Sequence, residues 1–162
     1  MCLWCYILDE YPTGLSGERW DVDAIGEVIC WEYVEIHLDG INHRAWNMNS
    51  LSRNPNLSWE FVERHPEGLK RNPWNMESLG DNVNLPWDFV ERHPEGLNGN
   101  RWNMTSLSSN ATLSADFVER HPEGINGQHW DMEGLSQNEN LPWNFIELYP
   151  EGLNGQPWSM RH

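Results

Sequence analysis

The stretch from Trp74 to Arg101, WNMESLGDNVNLPWDFVERHPEGLNGNR, decides how the rest of the chain is read, because the chain copies it. Its lead tryptophan returns every 28 residues as Trp46, Trp74, Trp102, Trp130 and Trp158, and its closing glycine as Gly68, Gly96, Gly124 and Gly152. Self-similarity at such a period marks a stack of small units, each of which buries its apolar face only against its neighbours. The expected fold is all-α: an α-solenoid of about 28-residue repeats, with two short helices in each.

Helix signals sit at the same places in every copy. The residue after the lead tryptophan is Asp21, Asn47, Asn75, Asn103, Asp131 or Ser159, each able to cap a free amide of a first turn. A first helix is predicted over Met48 to Ser52 and its equivalents, ending in an Asn-rich connector such as Asn54-Pro55-Asn56. A second start follows at Ser58, Pro86, Ser114 or Pro142, where Ser suits the N-cap and Pro the first helical position. Trp87, Phe89, Val90 and His93 then recur near the helical period, and the proline after the His or Tyr bars further αR backbone. Pro-Glu-Gly and Asn-Gly supply two tight turns. The large apolar residues of one unit are too few to offset the ordering of its backbone, so a single unit is not expected to fold alone.

This pattern makes the 162 residues one array: a partial repeat at 1–19, a divergent one at 20–45, regular ones at 46–73, 74–101, 102–129 and 130–157, and a truncated start at 158–162. PTGLSGERW from Pro12 lines up with PEGLKRNPW from Pro66, so the chain begins in mid-repeat. WEYVEIHLDGIN from Trp31 matches WEFVERHPEGLK from Trp59.

Lys and Arg total 10 against 25 Asp and Glu, a net charge of -15, which repels phosphate backbones. An unidentified protein with a basic or neutral surface is therefore the expected partner; nucleic acid and membrane are not. Cys2, Cys5 and Cys30 are odd in number and do not read as a disulfide framework, which favours a reducing, cytoplasmic setting. The apolar opening lacks a positive n-region and meets Asp9 and Glu10 too early for a secretory signal or a membrane span. The sequons at Asn56, Asn103 and Asn110 read as by-products of an Asn-rich repeat.

The segment LSRNPNLSW, from Leu51 to Trp59, resembles the tryptophan-rich repeats of giant DNA virus proteins of the mimivirus kind, whose units read L-S-x-N-P-N-[IL]-[TS]-W. LGDNVNLPW, LSSNATLSA and LSQNENLPW carry the likeness more loosely through later copies. His-Pro-Glu-Gly-Leu-Asn-Gly replaces the tighter link of that family, so the unit here is longer. The resemblance implies short paired helices and, for a viral chain, residence in host cytoplasm. It brings no catalytic residues.

Several columns could carry chemistry. Tyr11, His37, His65, His93, His121 and Tyr149 share one place; because Tyr is a poor substitute for a zinc-binding imidazole, the column reads as packing or helix-end compensation, with no metal or other cofactor expected. Cys2-Leu3-Trp4-Cys5 has C-x-x-C spacing but no second pair, and Cys5 reads as a buried thiol near the place where other copies have Trp. Asp9, Glu35, Glu63, Glu91, Glu119 and Glu147 form an acid column near the unfavourable end of the second helix. It is expected either to bond a loop N–H or a Trp indole of the next unit or to face a cationic partner. Glu60 with Arg64, Asp88 with Arg92 and Asp116 with Arg120 have i,i+4 spacing. Ala115 interrupts the series Trp31, Trp59, Trp87, Trp143 and leaves either a hollow or a cheap surface change. Arg53, Asp81, Ser109 and Gln137 vary at one place, Pro55, Val83, Ala111 and Glu139 at another, and Asn49, Glu77, Thr105 and Glu133 at a third. Variation on a fixed frame is how repeat proteins choose ligands.

These features predict a non-catalytic interaction or scaffold module. The alternative is an acidic nucleic-acid mimic that occupies the basic groove of a DNA-binding protein, and third comes a metal-dependent enzyme using the histidines. The apolar start also allows end-to-end homo-oligomers.

Overall fold

The computed structural model describes residues 3–159. They form eleven short helices: α1 (Leu3–Glu10), α2 (Val22–Gly26), α3 (Trp31–Ile36), α4 (Met48–Arg53), α5 (Trp59–Arg64), α6 (Met76–Gly80), α7 (Trp87–Arg92), α8 (Met104–Ser109), α9 (Ala115–Arg120), α10 (Met132–Gln137) and α11 (Trp143–Leu148). Among the described residues β pairing is limited to isolated bridges, so the protein is all-α with helices recurring in pairs at the tryptophan step.

The first helix of each pair starts where its cap does. Asp21, Asn47, Asn103 and Asp131 accept amide hydrogen bonds from the first turn, satisfying donors that a helix start otherwise leaves free. Burial and the Thr105 hydroxyl act on Asp131 in opposite directions; the hydroxyl's hydrogen bond is the larger effect and, with the Gly134 and Glu133 amides, holds that carboxyl below its ordinary value. The second helices start at Ser58 and Ser114, which cap Phe61 and Phe117, and after Pro86 and Pro142. These prolines are caps, extended at ψ 123° and 152°, and the helix begins one residue later than the sequence placed it. Proline offers no side-chain acceptor, but neither does it bring an amide that needs one.

Each second helix stops at the His or Tyr, whose φ and ψ leave the helical region before the proline. Beyond it the backbone makes a two-residue hairpin turn. Leu97 and Asn100 exchange both backbone hydrogen bonds around Asn98 and Gly99, at φ 47° and 79°, which is the type I′ geometry. The glycine before it is required as well: at Gly96, φ is +84° and an added Cβ would lie 2.0 Å from the Asn100 carbonyl oxygen.

The chain divides into two compact units, one up to Ser78 and one from Leu79 on. In the first, α2 packs against α4, and an added Cβ on Gly26 would lie 3.0 Å from the Ser50 Cβ. The Asn54 amide group, fully buried, donates to the Gly26 and Ile29 carbonyls, both at 2.9 Å. In the second, α8 packs against α10 with Gly134 facing Ser108, and Gly80 faces Ser106. Asn110 donates to the Gly80 and Asn82 carbonyls, and Asn138 to those of Ser108 and Asn110. Each of these three asparagines also accepts from the amide two residues on, so one side chain closes its own turn and ties it to the preceding repeat. Around this polar seam lies the apolar interior, with Leu51, Leu107 and Leu135 and the rings of Phe61, Phe117 and Phe145 at most 2 % exposed.

Two outcomes follow in urea or thermal unfolding. Asn110→Asp keeps the shape but replaces two donors with a carboxylate facing two carbonyl oxygens, and should cost about 2–4 kcal/mol. Lys70 and Arg71 hold φ 51° and 65° where the three later copies have Asn-Gly, so Lys70→Asn with Arg71→Gly should gain about 1–2 kcal/mol.

Candidate functional site

The histidine column is committed twice over. The rings of His37, His65, His93 and His121 lie against Tyr33, Phe61, Phe89 and Phe117 with centroids 4.1–4.7 Å apart, and Tyr149 lies against Phe145 at 4.9 Å. The carbonyl of each column residue accepts the indole N–H of the next lead tryptophan at 2.6–2.7 Å, from Trp20 on Tyr11 through to Trp158 on Tyr149. An aromatic body is what the position needs, so His and Tyr exchange there. No group of three or more His, Cys, Asp or Glu side chains with metal-binding geometry occurs among the described residues.

Three members of the acid column reach side chains of the following repeat. Glu35 pairs with Arg64 at 3.1 Å, Glu91 with Arg120 and His121, and Asp9 lies 3.8 Å from His37: each reaches the following repeat's second helix. The His121 hydrogen bond chiefly, with Arg120, holds the Glu91 carboxyl below its ordinary value against partial desolvation. Arg64 and Arg120 therefore reach across to the preceding acid, and Arg92 lies 3.6 Å from Asp88 of its own helix. All three guanidinium groups lie over their own helix's Phe ring, 5.4–5.7 Å from the centroid. Glu147 accepts from the Trp143 indole of its own helix. Glu63 and Glu119 are exposed, on α5 and α9.

Ala115 is half-buried, and Phe145, the ring that an indole there would cover, is still only 1 % exposed. Arg53, Asp81, Ser109 and Gln137 are all exposed, at or just after the ends of α4, α6, α8 and α10, and so are Pro55, Val83, Ala111 and Glu139 in the connectors. Glu77, Thr105 and Glu133 are exposed on the first turns, while Asn49 is half-buried and its side chain meets the Ser78 hydroxyl.

Two features were not foreseen. Cys5 and Cys30 are joined in a disulfide, which corrects the reading of Cys5 as a buried thiol and removes the cysteine argument for a reducing compartment. Cys2 lies outside the described residues. Beside the disulfide is a cleft of about 730 Å³ lined by Cys5, Asp9, Cys30, Glu32, Tyr33, Ile36 and His37. Sequence signals for it existed in the column substitutions: Tyr33 stands where regular copies have Phe, Ile36 where three have Arg, and Cys5 where most have Trp. No described helix is long and apolar enough to cross a membrane. No protein-family model, no curated protein and no solved structure matches this chain.

Proposed function

We propose that the chain is a non-catalytic protein-interaction module, an α-solenoid whose first helices and connectors present the recognition surface to a protein partner. The carrying observation is the contrast along one short segment of each repeat. Leu51, Asn54 and Leu57 and their equivalents are buried and unvaried, while the interleaved Arg53 and Pro55 places are exposed and differ in every copy. A frame held constant by packing, with side chains of changing charge and size between its fixed points, is suited to reading an extended surface. The tryptophan-rich viral repeats that LSRNPNLSW resembles are compatible with such a role.

The nucleic-acid mimic reading draws on the net charge of -15. It ranks second because Glu35 and Glu91 are drawn into links with Arg64 and Arg120, which spends part of the acid column inside the chain. Mimicry would lose affinity steeply between low and moderate salt.

The test replaces Arg53, Asp81, Ser109 and Gln137 together with alanine. Exposed positions of this kind typically change stability by no more than about 0.5 kcal/mol each, so melting should be nearly unaltered. Proteins retained by the parent from an extract of the native cell should be lost. An unaltered set of retained proteins overturns the assignment of this face.

A further inference from the structure

The regular repeats show what this fold places between a column acid and the next ring. Arg64 sits over Phe61 and on Glu35, and Arg120 sits over Phe117 and on Glu91. The ring is also covered from the preceding repeat, by Trp31 on Phe61 at 5.3 Å and by Trp87 on Phe117 at 4.7 Å. At Tyr33 both covers are missing. Ile36 replaces the arginine and is 77 % exposed, and Cys5, tied down to Cys30, replaces the tryptophan. What remains is the cleft of about 730 Å³, with Asp9 and Glu32 on its walls.

Acidic walls alone would mean little, but the cleft also holds a phenol hydroxyl that no other described group of the protein engages. Tyr33 is 6 % exposed, lines the cleft, and its hydroxyl makes no hydrogen bond with any described residue. The regular copies carry Phe there, so the hydroxyl is not needed for the stack on His37 or the edge contact with Trp46. Burial, and secondarily the Asp9 charge, push its ionisation above the ordinary value, so it stays a neutral phenol able to accept an N–H.

We propose that this cleft is a socket for an arginine side chain presented by a partner protein. The guanidinium takes the place that Arg64 and Arg120 fill elsewhere, donating to Asp9 and Glu32 and to the Tyr33 hydroxyl. A planar fork of N–H donors fits two carboxylates and a phenol better than a single ammonium does. Both covers are also missing at Phe145, where Ala115 stands for the tryptophan and Leu148 for the arginine, but that ring is 1 % exposed and carries no hydroxyl, so the acceptors are what set Tyr33 apart. This site stands apart from the variable columns, and either can fail without the other.

The experiment uses the oxidised full chain and the blocked tripeptide Ala-Arg-Ala, followed by amide and side-chain NMR shifts. Saturable shifts confined to Asp9, Glu32, Tyr33, Ile36 and His37 are expected. The neutral analogue with citrulline should bind at least about tenfold more weakly, since charge-assisted hydrogen bonds are roughly twice as strong as neutral ones, and Tyr33→Phe should also weaken binding. Ile36→Arg, which restores the regular pattern at an exposed position, should fold normally and abolish binding by filling the socket. Equal affinity for the citrulline or lysine tripeptide, retained binding in Ile36→Arg, or shifts without saturation would overturn the proposal. So would self-association, read by light scattering, that Ile36→Arg removes while the tripeptide has no effect, because the occupant would then be a second copy.

Discussion

The indole N–H that each lead tryptophan gives to the carbonyl nine residues before it is the bond on which the repeat depends. A helix leaves its last carbonyls without partners, and the proline after His65 or His93 has no amide to offer. The His65 carbonyl meets the Gly68 amide at 3.0 Å and the Trp74 indole at 2.7 Å, so both of its lone pairs are used. The same indole ring is 3 % exposed and meets the Phe61 ring edge-on. One side chain thus ends a helix, closes the turn that follows it and opens the next repeat. Its polar atom and its apolar body work in the same place, which makes tryptophan hard to replace there by either a smaller ring or a plain hydrocarbon.

With the turn fixed, the first helices come close because their facing positions are small. Gly26 meets Ser50, Gly80 meets Ser106, and Gly134 meets Ser108. Backbones this near would strand carbonyls from water, and Asn54, Asn110 and Asn138, each at the end of a first helix, satisfy them. Its amide has donors for the preceding repeat and an acceptor for its own turn. No other residue of that size presents both without charge. Serine adds a parallel bond, for the Ser108 hydroxyl accepts the Asp131 amide and the Ser136 hydroxyl accepts that of Ser159. The repeat-to-repeat contact is therefore a ring-packed apolar layer beside a dry polar one, and the polar layer penalises any slip in register.

The period, the helix starts and the turns were legible because each depends on residues close in sequence: an Asn cap two or three residues from its amide, or Asn-Gly between two bridging residues. What was not legible lies one repeat away. Glu91 and Arg120 are 29 residues apart, and reading Asp116 and Arg120 as an i,i+4 pair missed that the arginine has a better-placed acid on the second helix of the preceding repeat. The buried asparagines read as ordinary turn formers, since local chemistry accounts for them without a neighbour. Cys5 and Cys30 looked unrelated for the same reason. Their spacing of 25 is close to one repeat, and stacking turns that spacing into contact.

Divergence within the array also has a physical pattern. Where a column residue makes bonds on both sides, as the lead tryptophan does, all six described copies keep it. Where its contacts are exposed, an ion pair and a ring face as for Arg64 and Arg120, an aliphatic residue replaces it in other copies, because such exposed pairs contribute little to stability. The consequence depends on what the lost arginine uncovers. At Leu148 the ring beneath is Phe145, and neighbouring side chains close over it. At Ile36 the ring carries a hydroxyl and the cleft beside it is walled by Asp9 and Glu32, so the loss exposes acceptors instead of hydrocarbon. A repeat array that tolerates the first change for structural reasons carries, in the second, an acidic opening that packing alone does not require.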